Sequence, residues 1–166
     1  MTSLHFYTIV LLLLLCAPNL CSAACASVVV KGHLMCNGQP YAREQVQLWE
    51  PKPFGNELWY DINTGHDGKF HMFSHGYDVT LFDIEALGFG FHPYLWIPNY
   101  CGSEMKDGKR CTKNIIKIVI PEGYIQPCQP DVYTFDLGTI HMDTATPTEF
   151  SWLGRLVGLD YQCKKY

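Results

Sequence analysis

The cysteines constrain this chain more than any other feature. There are eight, and their places along the chain decide both compartment and bonding. Cys16 and Cys21 lie just after an apolar run from Leu4 to Leu15, "LHFYTIVLLLLL", broken only by His5 and Thr8. Pro18 and the stretch "CSAAC" follow, placing Ser22 and Ala24 three and one residues before a cut preceding Cys25. That is the layout of a secretory signal peptide over residues 1–24, although its n-region offers only the amino terminus and His5 as charge. The run is shorter than the roughly 20 residues of a membrane-spanning helix. No second run of similar length follows, so stable membrane insertion is not expected and the mature chain is read as secreted and extracellular. Cys25, Cys36, Cys101, Cys111, Cys128 and Cys163 remain. An even count in an exported chain reads as three disulfides, with the connectivity open. None of the six forms a CxxC pair, and Cys101 and Cys111 have no His nearby at zinc-ligand spacing. They are staples rather than metal or redox ligands.

Without the leader the chain is close to the usual size of one domain and can bury a core without metals or oligomerisation. Sixteen Asp and Glu stand against twelve Lys and Arg, which argues against general binding of nucleic acid or of anionic membranes. The terminal "CKKY" is a small basic exception.

The body reads as strands. "SVVVKGHLMC" (Ser27 to Cys36), "EQVQLWE" (Glu44 to Glu50), "ELWYDI" (Glu57 to Ile62) and "KFHMFS" (Lys69 to Ser74) are short, β-branched or aromatic, and separated by turn residues. Asn37-Gly38 and Asp67-Gly68 supply the positive-φ positions that tight reversals need. "HPYLWI", "NIIKIVI" and "YTFDLGTIHM" follow. Ile116, Ile118 and Ile120 point one way, with Lys117 on the other side; Tyr133, Phe135 and Leu137 alternate with Thr134, Asp136 and Gly138. This is period two, a sheet with one buried face. About seven such strands without a long helical pattern predict an all-β, immunoglobulin-like Greek-key sandwich over residues 25–143. Between His75 and Tyr94, "HGYDVTLFDIEALGFGFHPY" mixes aromatics, acids and glycines with no clean period. Residues 144–166 form a C-terminal extension. Its Thr146, Pro147 and Glu149 fit N-cap, N1 and N3 of a short helix, packed on the sandwich and pinned through Cys163, or else an apolar tail offered to a partner or membrane.

Catalytic chemistry has little to stand on. His71 and His75 are four apart, but on a strand that spacing is too long for one ion. His33, His66, His92 and His141 are scattered through strands and turns. "NTGHDG" lacks the alternating acids of a calcium loop. There is no nucleophile elbow, phosphate loop or dinucleotide fingerprint. No catalytic residue, cofactor or metal is expected, and the chain is read as not an enzyme.

Five stretches, in order and at matching spacing, resemble the nematode transthyretin-like family: "VKGHLMCNGQPYAREQVQLWE" (Val30 to Glu50), "TGHDGKF" (Thr64 to Phe70), "PYLWIPNYC" (Pro93 to Cys101), "KRCTKNIIKIVIPEGYI" (Lys109 to Ile125) and "YTFDLGTIHM" (Tyr133 to Met142). The resemblance implies a secreted transthyretin-like β-sandwich, and it implies that Cys36 pairs with Cys101. Transthyretin itself carries a small hormone, and a related enzyme family hydrolyses hydroxyisourate using a C-terminal Tyr-Arg-Gly-Ser. This chain ends "YQCKKY", so that motif is absent. What the resemblance implies instead is an extracellular protein that works by contact with cell surfaces, or with host molecules when the worm is parasitic.

The expected function is therefore a secreted, non-catalytic binding protein, monomeric or weakly dimeric, that engages an extracellular protein or cell-surface partner. The alternative is a carrier of a small apolar ligand at a pocket or dimer interface. The ring-rich set Trp59, Tyr60, Phe89, Phe91, Tyr94, Trp96 and Tyr100 exceeds what one sandwich face readily hides, although alternation alone would bury about half of it. Phe89 and Phe91, in "GFGF", are expected on an exposed loop as partner contacts. A second expected contact is the charged loop "GSEMKDGKR" between Cys101 and Cys111, with Lys106, Lys109 and Arg110.

Overall fold

The computed structural model describes residues 21–52, 55–81, 90–112, 114–128, 133–146 and 162–165, with side chains left out for 21–24 and 78–81. Twelve strands run through them: β1 (Cys21–Cys36), β2 (Gln39–Pro40), β3 (Gln45–Lys52), β4 (Gly55–Asn63), β5 (Lys69–Leu81), β6 (Tyr94–Asn99), β7 (Met105–Lys106), β8 (Lys109–Cys111), β9 (Asn114–Val119), β10 (Gln126–Pro127), β11 (Thr134–His141) and β12 (Cys163–Lys165). Those of six residues or more are β1, β3, β4, β5, β6, β9 and β11, the seven read from the alternation. One sheet is built on β1, with β5 antiparallel along one side and β11 parallel along the other. The second sheet has the order β4-β3-β6-β9 and is antiparallel throughout. A third, small sheet has the order β12-β8-β7.

The two large sheets face each other across one core. Val28, Val30, Leu34, Phe70 and Met72 come from the first, and Val46, Leu48, Leu95, Ile97, Ile116 and Ile120 from the second. All are buried because the period of two turns alternate residues inward. Tyr41 threads the gap: its hydroxyl donates to the Pro98 carbonyl at 3.0 Å and accepts the Tyr100 amide at 2.7 Å. The turns behave as their residues require. Asn37 and Gly38 both have positive φ between β1 and β2, whereas in the 64–68 corner only Gly68 does. That corner does not close a hairpin; it carries the chain from β4 in one sheet to β5 in the other. Thr64 braces it, donating to the Tyr41 carbonyl at 2.6 Å and accepting the Glu44 amide at 3.0 Å.

All six expected cysteines are bonded, as Cys25–Cys128, Cys36–Cys101 and Cys111–Cys163. The Cys36–Cys101 pairing implied by the resemblance is present. A short Cys101–Cys111 loop closure is not, because Cys111 faces the C-terminal strand instead. The helix expected from Thr146 onward falls largely outside the described residues; Cys163 lies on a strand.

Several side-chain expectations need correction. Tyr133 precedes β11 and is 71% exposed rather than inward. Ile115 is buried although it shares a face with Lys117, because Tyr94, Trp96 and Ile115 form a second cluster on the outer face of their sheet, with Trp49 packed against it. Of the ring-rich set, Tyr94, Trp96 and Tyr100 are buried, while Tyr60 is exposed. Among the described residues no helix is long and apolar enough to cross a membrane.

Candidate functional site

The loop between Cys101 and Cys111 is a hairpin. Asp107 and Gly108 have φ of 51° and 69°, the two left-handed positions of a tight two-residue reversal, and this lets β7 fold directly back onto β8. The register pairs Lys106 with Lys109 and Met105 with Arg110. On the far side β12 pairs Lys165 with Lys109, Lys164 with Arg110 and Cys163 with Cys111, and the last pair is also the disulfide. The Thr112 amide donates to the Gln162 carbonyl at 2.7 Å, and the Gln162 amide donates back to the Thr112 hydroxyl at 3.0 Å.

Directly opposed residues in an antiparallel sheet share a face, so this small sheet has two different sides. One carries Met105, Arg110 and Lys164. Lys164 turns inward, pairing with the buried Glu44 carboxylate and lying 4.7 Å from the Tyr100 ring centre. The other side carries Lys106, Lys109 and Lys165, all three exposed. Among the described residues the nearby acids are Glu104, next to Met105, and Asp107 at the turn tip, both exposed.

The sequence-predicted contacts separate here. Lys106 and Lys109 stand together on the outward side. Arg110, expected beside them, points to the opposite side and is half-buried. Phe89 lies outside the described residues. The expectation of a freely exposed Phe91 is corrected: its ring is half-buried, 5.7 Å from Trp59 and 5.4 Å from the Lys52 ammonium. Lys165 was missed. Its signal is the reversed match of "KRC" and "CKK", in which a lysine stands two residues from each bonded cysteine.

The other polar clusters lie on the two large sheets. Among the described residues no group of three or more His, Cys, Asp or Glu could hold a metal ion. His71, Phe73, His75 and Tyr77 project from one exposed face of β5, with Phe73 6.1 Å from His75 and His75 5.4 Å from Tyr77. Beside them lies an open groove of about 680 Å³, lined in part by Lys31, His33, Lys69, His71, Asp136 and Thr139. Its charges are paired, Lys31 with Asp136 at 3.0 Å and Lys69 with Asp67 at 3.2 Å. The Gly138 amide holds the Asp136 carboxyl below its ordinary pKa, with help from Lys31. The Lys69 amide and ammonium do the same for Asp67. On the outer face of the other sheet, burial lowers the Lys117 pKa, and the ammonium lies 3.7 Å from the Tyr94 ring centre. Burial raises the Tyr94 phenol, with a further rise from the Glu50 charge. These shifts follow from local turns, ion pairs and burial.

The architecture defines a class: a disulfide-braced, two-sheet β-sandwich with a small cationic sheet attached at one side. The transthyretin-like family (TTR-52) matches residues 31–121, and the chain belongs to that family. Transthyretin-like protein 46 of Caenorhabditis elegans is 28% identical over 126 residues, covering 74% of this chain and 63% of that protein. Transthyretin-like protein 2 of the same worm is 27% identical over 124 residues, covering 74% and 79%. The chain thus spans less than two thirds of the first relative. Among solved structures, a 9R-lipoxygenase from Cyanothece PCC8801 aligns with 70% of this chain and 16% of its own, at 16% identity and a TM-score of 0.36, too low to bear on fold or function. The matched region contains the hairpin lysines and ends before β12, which carries Lys165.

Proposed function

We propose that this protein is a secreted, non-catalytic binding module that engages an extracellular protein or cell-surface partner through the β7-β8-β12 sheet. The observation that carries the reading is the exposed row of Lys106, Lys109 and Lys165, held in register by a tight turn on one side and a disulfide on the other. Three disulfides fit an oxidising compartment, as does the leader pattern of residues 1–24. The carrier alternative finds less support: the groove on the first sheet is open to solvent, whereas an apolar ligand favours a concave site that buries most of its surface.

The test is cell-surface binding by the full chain expressed through a secretory host, with isotopic labelling in place of a tag. The first residue of the product, read by mass spectrometry, should be Cys25. Saturable binding to cells or matrix, lost when the three disulfides are reduced and alkylated, is the expected result. Absence of saturable binding, or copurification of a stoichiometric small apolar molecule, would overturn the reading.

A further inference from the structure

We propose that Lys106, Lys109 and Lys165 form one binding row for a linear sulfated polysaccharide. This names the chemistry of the partner and rests on the reading of the small sheet as the contact surface.

The row is a repulsive arrangement that the fold enforces. Lys165, Lys109 and Lys106 are direct cross-strand neighbours, in that order, and like charges so placed destabilise a sheet. The Asp107-Gly108 turn fixes the spacing on one side and Cys111–Cys163 on the other. The strands are only two to three residues long, so the sheet cannot relieve the repulsion by slipping without breaking one of these restraints. A bound anion removes the repulsion.

The orientation is fixed as well. Lys164 of the same strand is held by Glu44 and lies over Tyr100, which turns that side toward the sandwich and directs Lys165 and its neighbours to solvent. Sheet strands stand about 4.8 Å apart, so three of them carry the row over about 10 Å. Three ammonium groups are point charges with rotating donors, without the planar fork that selects carboxylates in pairs. They suit tetrahedral oxyanions spaced along a chain.

The shape of the charge selects a linear polyanion over an anionic plane. The row is one side chain wide, with Glu104 and Asp107 beside it, on a chain of net charge −4. A lipid surface would meet those acids together with the lysines, whereas a polysaccharide lying across the strands touches the row alone. Met105, 56% exposed, belongs to the opposite side, so among the described residues no apolar side chain stands within the row.

The first experiment is chromatography on immobilised heparin, with elution by sodium chloride. Retention of the wild type above about 0.15 M salt and elution of K106Q/K109Q/K165Q below it is the expected result, with affinity for heparin in solution falling about tenfold or more. Each single substitution, K165Q included, should lower the salt dependence of log affinity by about one. The control K31Q/K69Q should elute with the wild type. Circular dichroism and the absence of free thiols establish that each variant is folded and bonded. Wild type passing straight through, equal retention of the triple variant, or equal binding of fully desulfated heparin would each overturn the proposal. So would tighter binding to phosphatidylcholine vesicles containing phosphatidylserine, or to a poly-glutamate peptide, than to heparin. Cell binding separates this from the broader reading. If the triple variant loses cell binding while enzymatic removal of cell-surface sulfated chains does not affect the wild type, the sulfated ligand is wrong and the contact surface stands. If the triple variant binds cells as well as the wild type, both fall.

Discussion

Removing one oxygen atom from Tyr41 should weaken this fold severely. The ring is buried at 5% exposure, and its hydroxyl is the partner of two backbone groups, accepting from the Tyr100 amide and donating to the Pro98 carbonyl. Tyr41→Phe keeps the ring and its packing, but strips both partners inside the core. A buried polar group that loses its partner costs about 1–3 kcal/mol. Two of them, offset by the hydroxyl's own relief from desolvation, give an expected loss of about 2–4 kcal/mol. That is a large fraction of the 5–15 kcal/mol available to a typical domain, and corresponds to a fall in Tm of about 10–20 °C for a domain near 100 residues. The assay is urea unfolding followed by tryptophan fluorescence, with all disulfides intact, comparing midpoints at equal m values. The placement also matters chemically, since Tyr100 precedes Cys101 and its bridge to Cys36. A loss below about 0.5 kcal/mol, within the range of ordinary surface substitutions, would refute the claim that the hydroxyl joins the two sheets.

Three other outcomes follow from the structure. Gly68→Ala should destabilise by at least about 2 kcal/mol in the same urea assay, because its φ of +75° disfavours a side chain and the new Cβ would lie 2.4 Å from the Leu34 carbonyl oxygen. Cys111→Ser with Cys163→Ser should leave the sandwich folded while amides 109–111 and 163–165 lose hydrogen-exchange protection; the 52-residue separation sets a ceiling of about 4 kcal/mol from chain entropy, and unchanged protection would show that pairing alone holds β12. On acidification, Asp67 and Asp136, whose folded pKa values lie below the ordinary 3.8, contribute stability that is present above that value and lost as pH falls through the folded ones. The Tm should therefore drop through this acid range, and Asp136→Asn should make the drop shallower.

The strands most visible in the sequence are those with apolar residues inward and polar residues outward. Val28, Val30 and Leu34 on β1, or Val46 and Leu48 on β3, announce their core face. The second half of β5 inverts that pattern. Phe73, His75 and Tyr77 point outward, while Ser74 and Gly76 point in, because Ser74 donates to the Trp59 carbonyl at 3.1 Å and the Trp59 ring fills the space a Gly76 side chain would need. Tertiary packing by one tryptophan thus hides a strand that runs to Leu81. The candidate surface was half legible. "KDGK" lies in a charged stretch between two bonded cysteines, but the partner strand is three residues long and some fifty residues distant, and only the disulfide brings it near. The same geometry parts Arg110 from its neighbours, since a period of two sends Lys109 and Arg110 to opposite sides.

The bridge from Cys25 to Cys128 has a consequence for the N-terminal end of the sandwich. In the full chain β1 begins at Cys21 and pairs Cys21–Ala24 with Leu81–Asp78 of β5; were the leader proposed above removed before Cys25, the bonded cysteine would become the first residue. Chain ends open most readily, at nearly no free-energy cost, and an open end is where an exopeptidase begins. Here the terminal residue is covalently joined to a partner 103 positions away, beside the strand that pairs Ala26 and Ser27 with Pro127 and Gln126. A chain cut there would have no loose N-terminal thread to pull. Its resistance to trimming at that end would be covalent, independent of how stable the rest of the sandwich is.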